Sequence, residues 1–197
     1  MYKKHFSSFD LKISTPNLKK TVIKNIKLNL MGAYNILNSV SAIALCLHIG
    51  ISSKIIRNSL YKFSGIQRRL NKVLVKGKIE FFDDYAHHPT EIKSVLKSVR
   101  NTNLKRKIIS VFQPHRYSRL KLLKNEFASS FHDSNVVILC PVFSAGEKID
   151  NKYDTFNFAK LIAKNSNVQV IIVQNEKDLK RFFQKNLFDD ELVLCMG

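Results

Sequence analysis

From residue 73 onward, strand-length apolar runs alternate with stretches of helical periodicity, and few folds accommodate that alternation. The apolar runs fall at 73–76, 79–82, 108–112, 136–140, 168–173 and 192–195, and the helical stretches at 90–100, 118–131, 155–164 and 176–186. Alternation of this length predicts right-handed crossovers and a mostly parallel sheet in an α/β fold. The polar loops 83–88, 113–119 and 143–150, with the terminal Met196-Gly197, then fall at the carboxyl ends of successive strands. In an open parallel sheet that edge is where ligands bind.

The first of these loops is the densest in chemistry. The run Ile79-Glu80-Phe81-Phe82 stops at Asp83-Asp84, followed by Tyr85-Ala86-His87-His88, and Pro89-Thr90-Glu91 opens a helix. Proline suits the first helical position because its missing N–H would be unpaired there. Glutamate in the first turn suits the positive end of the helix dipole. Two readings stand side by side. Asp83 or Asp84 caps the helix and the histidines are ordinary loop residues, or the group is a site, since ionisable residues fill an interval too short to need them all as caps.

The second loop, Phe112-Gln113-Pro114-His115-Arg116-Tyr117-Ser118-Arg119, crowds a helix start with cations. Arginines there oppose the dipole, a cost that a bound carboxylate or phosphate would offset. The alternative is a solvated basic turn. The third loop, Phe143-Ser144-Ala145-Gly146-Glu147-Lys148, is a small-residue turn that carries little information alone.

Ahead of residue 73 the pattern differs. Alternating residues (Phe9, Leu11, Ile13; Ile26, Leu28, Leu30, with Val22 and Ile23 before them) predict antiparallel strands joined by a turn at Pro16-Asn17. Residues 32–48 predict a helix with an apolar stripe of Ile36, Val40, Ile43, Ala44 and Leu47, ended by Gly50, with His48 as a partner for the dipole. Asn35 and Asn38 share a face of its first turn, either capping and facing solvent or both turned to a ligand. Ser52-Ser53 caps a second helix, 53–62, with Ile55, Ile56, Leu60 and Phe63 inward, and residues 64–72, with Arg68-Arg69, read as a linker.

Composition narrows the classes. The chain is 45% hydrophobic, has a net charge of +18 and holds three cysteines. The lysines are scattered through every segment, which describes a solvated surface and not a nucleic-acid groove, and no RNP or zinc-finger pattern is present. There is no 18-residue apolar run and no signal-peptide core, so no membrane span is expected. Cys46, Cys140 and Cys195 each sit in an apolar run and read as small hydrophobes in a reducing compartment.

The set Gly32-x-x-Asn35-x-x-Asn38, Arg68-Arg69, Asp83-Asp84-Tyr85-Ala86-His87-His88-Pro89-Thr90-Glu91, Gln113-Pro114-His115-Arg116-Tyr117-Ser118-Arg119 and Ala145-Gly146-Glu147 closely resembles the Mur ligase family, in the family's order and over nearly the whole chain. The resemblance implies residues 1–67 as a partial central ATP-binding domain and 68–197 as a Rossmann-like C-terminal domain lacking its last helix. It implies a cytoplasmic, ATP-dependent amide ligase adding L-alanine to UDP-N-acetylmuramate in peptidoglycan precursor synthesis.

By the same resemblance Asn35 and Asn38 lie near adenine, and Arg69 and Asp84 reach ATP. Tyr85, His87, His115, Arg116 and Arg119 line the amino-acid side, with Arg116 and Arg119 clamping a carboxylate and His87 or His115 orienting or deprotonating the amine. Magnesium accompanies ATP, and no residue of this chain is assigned to it. The chain departs from the family in lacking a G-x-x-G-K-[ST] phosphate loop and a UDP-binding domain, and in having Tyr34 where histidine is common. A chain that starts and ends so abruptly is expected to be a fragment, a split-gene product or an eroded copy. The competing classes are a non-catalytic remnant, or a subunit needing a partner chain with the missing domains, and a nucleic-acid binder. The ligase reading expects the acidic and arginine-bearing turns to face each other across one crevice, with the asparagines opening towards it.

Overall fold

The computed structural model describes residues 2–3, 6–15, 18–30, 32–150 and 153–197. The chain divides into two compact units, Met1–Ile66 and Gln67–Gly197.

In the first unit, β1 (Tyr2–Lys3), β2 (Phe6–Thr15) and β3 (Leu18–Leu28) form an antiparallel sheet in that order. The Pro16-Asn17 turn expected between β2 and β3 lies outside the described residues. Pairing shifts from Phe9↔Ile26 to Leu11↔Ile23, so β3 has one more residue than β2 in that interval. Asn25 takes up the difference at φ 56, with its N–H bonded to Asp10 Oδ1 at 2.7 Å. Asparagine tolerates that left-handed conformation, and the bulge turns Ile23 and Ile26 both inward. They form a core with Ile43 of α1 (Ala33–His48) and Ile56 of α2 (Ser53–Lys62).

The buried line of α1 is Asn35, Ser39 and Ile43, more polar than the stripe expected from the sequence. In α2, Ser52 caps by accepting from Ile55 N, and Ile56 is buried. Ile55, expected inside, is 58% exposed. Consecutive helical residues point about 100° apart, so only one of the pair can face the sheet.

The second unit runs β4 (Asn71–Lys76), β5 (Ile79–Asp84), α3 (Pro89–Thr102), β6 (Ile108–Phe112), α4 (Tyr117–Leu122), α5 (Lys124–Ala128), β7 (Val136–Leu139), α6 (Thr155–Ser166), β8 (Gln169–Ile172), α7 (Glu176–Asn186) and β9 (Leu192–Met196). The sheet order is β4-β5-β9-β6-β7-β8. β4 pairs antiparallel with β5 through a turn at Gly77, and every other pairing is parallel. The helix expected over 118–131 is broken at Leu123, whose φ of −112 and ψ of 27 separate α4 from α5.

Strand alternation assigns the two faces. Ile109 and Val111 join Ile138 and Val193 under Leu179, Phe182 and Phe183 of α7. Phe112, the next residue along the strand, packs the opposite way, its ring 5.6 Å from Phe127 and 5.3 Å from Phe131. On that side the buried Ser166 hydroxyl accepts from Phe131 N and donates to Ala128 O, fastening α6 to the end of α5. Phe112 is fully buried at the last residue before the second loop. Phe112→Ala is expected to cost about 3–5 kcal/mol, read by urea unfolding of the whole chain.

Candidate active site

Parallel strands end at the same edge, and three of them build the site. Asp84 of β5 and Phe112 of β6 both lie beside Met196 of β9, which is inserted between them. Gly197 follows at φ 140, and a Cβ there would come within 2.4 Å of the Gln113 carbonyl oxygen. A glycine is therefore required for the central strand to finish level with its neighbours.

The first turn begins later than the sequence suggests, because β5 continues through Asp84. Asp84 is 1% exposed. Its Oδ1 accepts from Ala86 N and its Oδ2 from Leu70 N, each at 2.8 Å. Burial pushes its carboxyl above the usual range despite these bonds and the nearby Arg69. Leu70 and Arg68 have φ of 53 and 57, a conformation that costs non-glycine residues energy. Asp84 through Leu70, and Tyr85 N through a 2.8 Å bond to Arg68 O, hold that segment in place. Both oxygens accept from backbone, so Asp84 supports the peptide carrying Arg69.

Neither aspartate caps α3. The cap is His88, whose Nδ1 accepts from Thr90 N, while Glu91 Oε2 accepts from His88 N at 3.2 Å and His87 N at 3.1 Å. This reciprocal arrangement satisfies the helix start, two residues beyond where an aspartate in the strand could reach.

The remaining groups converge over the end of β9. His87 Nδ1 is 2.8 Å from Tyr85 O, and a carbonyl partner assigns a ring proton to Nδ1. The His87 and His115 rings lie 6.4 Å apart, stacked at 26°. Arg119 Nη1 donates to His87 O at 3.4 Å, so the two turns meet directly. Arg68 reaches the same place from its strained segment. Its guanidinium lies 4.9 Å above the Tyr85 ring, its Nε is 3.5 Å from Asp83 Oδ2, and its Nη2 donates to Gly197 O at 2.6 Å. Burial first, then the charges of His87, Arg119 and Arg68, push His115 below 6.5. Arg116, at φ 66, is exposed.

A cleft of about 560 Å³ opens beside these groups, bordered by Arg68, Asp83, His115 and Gly197. Cys140 and Cys195 line it, and burial raises both thiols, Cys195 to about 11. They are uncharged and serve as apolar wall. Among the described residues no group of three or more His, Cys, Asp or Glu is placed to hold a metal. Asn35 and Asn38 belong to α1 of the first unit, where Asn35 is buried and Asn38 exposed, so the two are not presented alike.

Residues 68–197 match the sequence profile of Mur ligase, glutamate ligase domain. The chain belongs to the Mur ligase family. It is 47% identical over 194 residues to a UDP-N-acetylmuramate–L-alanine ligase of Pelagibacter ubique, covering 98% of this chain and 42% of that protein. It is 41% identical over 168 residues to a ligase of the same name from Brachyspira hyodysenteriae, covering 85% and 36%. The chain thus spans about two-fifths of the length of these relatives. The crystal structure of a UDP-N-acetylmuramate–alanine ligase from Thermotoga maritima shares the fold, with a TM-score of 0.70 at 23% identity over 100% of this chain and 43% of that one.

In this Mur ligase chain the sequence singled out Arg69 of the arginine pair, yet Arg68 is the one that touches Asp83, Tyr85 and Gly197. Nothing in Arg68-Arg69 distinguishes them, because the left-handed φ at Arg68 is imposed by its partners. Phe143, which the sequence places in the third loop without a role, has its ring 5.1 Å from that of His115. Its place two residues before the small-residue turn was the available signal.

Titration of the His115 ring by NMR is expected to give a midpoint below 6.5. The shift is a depressed base, so neutral His115 is favoured in the fold and that contribution is lost as pH falls from 6.5 through the folded value. Arg119→Ala is expected to move the midpoint upward by removing one of the repelling charges.

Proposed function

We propose that the chain is part of an ATP-dependent ligase that adds L-alanine to UDP-N-acetylmuramate in peptidoglycan precursor synthesis. Residues 1–67 are read as the end of the central ATP-binding domain and 68–197 as the C-terminal domain. The observation that carries the reading is the convergence of His87, His115 and Arg119 over the end of β9, beside a cleft large enough for a small substrate. The identity to ligases so named supports the choice of substrates.

Amide formation of this kind activates the muramoyl carboxylate by phosphoryl transfer from ATP. The alanine amine then attacks, and phosphate leaves through a tetrahedral intermediate. Such chemistry asks for positioning and charge neutralisation more than for a protein nucleophile. Arg116 and Arg119 bind the alanine carboxylate, since guanidinium matches it with paired donors. The amine must lose a proton to attack. His115, held neutral by its surroundings, is suited to take it, and Nε2 of His87 orients it. Tyr85 lines the amino-acid side.

Asn35 and Asn38 are assigned to the adenine of ATP, and Arg69 and Asp84 to the ATP side of the site. Asp84 contributes by holding the Arg69 peptide. Magnesium would neutralise charge on the phosphates, but the described residues build no site for it and no step here is routed through it. The reaction is assigned to the cytoplasm; no helix of the described residues is long and apolar enough to cross a membrane. The remaining three-fifths of the ligase must come from elsewhere in the same polypeptide or from a partner chain.

The test is reconstitution. The chain is mixed with a polypeptide carrying the missing domains, and phosphate release from ATP and UDP-N-acetylmuramate is followed with and without L-alanine. Alanine-dependent release is expected, and release that ignores alanine would overturn the reading. In the active assembly Arg119→Ala is expected to raise the alanine KM about tenfold or more, and an unchanged KM removes Arg119 from the clamp.

A further inference from the structure

The arginine-bearing loop and the Ala145-Gly146-Glu147 loop come from different strands, yet they are joined along their whole length. His115 bridges Phe143 in parallel register. Phe143 N donates to Pro114 O at 2.8 Å, and Arg116 N donates to Phe143 O at 2.9 Å. Farther out, Ser118 donates to Glu147 twice, from its N–H to Oε2 at 3.1 Å and from its hydroxyl to Oε1. Lys121 pairs with Asp150 at the far end.

The geometry of both loops is arranged around the Glu147 contact. Arg116 stands at the cap position of α4 in a left-handed conformation and supplies no side-chain cap. Ser118 N is therefore a helix-start donor that its own segment leaves without a partner. On the other side, Ala145 and Gly146 have φ of 51 and 88, and Glu147 N closes the turn on Ser144 O at 3.1 Å. A turn with two left-handed central residues reverses the chain sharply and delivers the Glu147 carboxylate to Ser118.

We infer that Glu147 is a positioning residue for the amino-acid side of the site: it caps α4 from a neighbouring loop and so fixes the spacing of Arg116 and Arg119 on either side of Ser118. The role rests on the ligase reading above, while the cap itself does not. A carboxylate of the protein stands where sequence reasoning placed a substrate's, at the start of a helix crowded by arginines. The substrate carboxylate is accordingly met by guanidinium groups alone, held at a set angle by a cap that does not exchange with it.

Two measurements test this. Amide hydrogen exchange on the whole chain compares wild type with E147A, E147Q and S118A. In E147A the Ser118 amide is expected to exchange about fivefold faster, the scale of a lost helix cap, with E147Q between and β6 amides unchanged. Unchanged Ser118 exchange overturns the cap. In the reconstituted assembly E147A is expected to raise the alanine KM about fivefold at nearly constant kcat, with E147Q recovering part of the loss. A fall in kcat at constant KM, or no change in either, overturns the positioning role. A wild-type assembly without alanine-dependent phosphate release strikes the ligase reading and, with it, the role towards alanine, and the exchange result alone then decides the cap.

Discussion

The insertion of the last strand between two earlier ones is the constraint on which the second unit turns. β9 pairs in parallel with β5 and with β6, so the loops that follow those two strands are separated by one strand. Neighbouring strands lie about 4.8 Å apart, which puts the two loops roughly 10 Å apart at their roots. Side chains leaning in from both sides close that gap, as His87 and His115 do at 6.4 Å. A directly adjacent pair of strands would leave no crevice, and two intervening strands would leave the loops out of reach. Gly197 keeps the interval open, because any side chain there would strike the Gln113 carbonyl.

Around that crevice the protein uses backbone strain where it needs an arginine in an unusual place. Arg68, Leu70 and Arg116 are non-glycine residues with φ near 60, and each adjoins a residue of the site. Such conformations persist only where the surroundings over-determine them. For Leu70 that means Asp84, a carboxylate buried at some cost whose two oxygens receive the Leu70 and Ala86 N–H groups. For Arg116 it means the bridge to Phe143. The arginines are thus positioned by peptide geometry as much as by their own contacts.

Much of this was legible beforehand. The strand at 136–139 is a continuous apolar run and that at 108–112 is broken only by Ser110, the near-continuous pattern of buried parallel strands. Pro89 and Glu91 marked the start of α3. Other readings failed for identifiable reasons. Asp83 and Asp84 looked like loop residues because aspartate is rare inside a strand, and only the Leu70 and Ala86 amides explain Asp84 there. The break at Leu123 is invisible in a stretch whose apolar residues keep helical spacing throughout. The bulge at Asn25 depends on Asp10, fifteen residues away.

The sequence by itself determined the α/β alternation, the edge on which the polar loops gather and the motifs that mark a Mur ligase, because periodicity and local spacing are properties of short segments. Tertiary structure decided which loops meet. The order of strands in the sheet, the arginine that faces the tyrosine, the carboxylate that caps a helix from another loop and the aspartate that faces inward all depend on residues distant in the chain. A donor's partner is set by where the fold carries the nearest acceptor, and no local pattern encodes that distance.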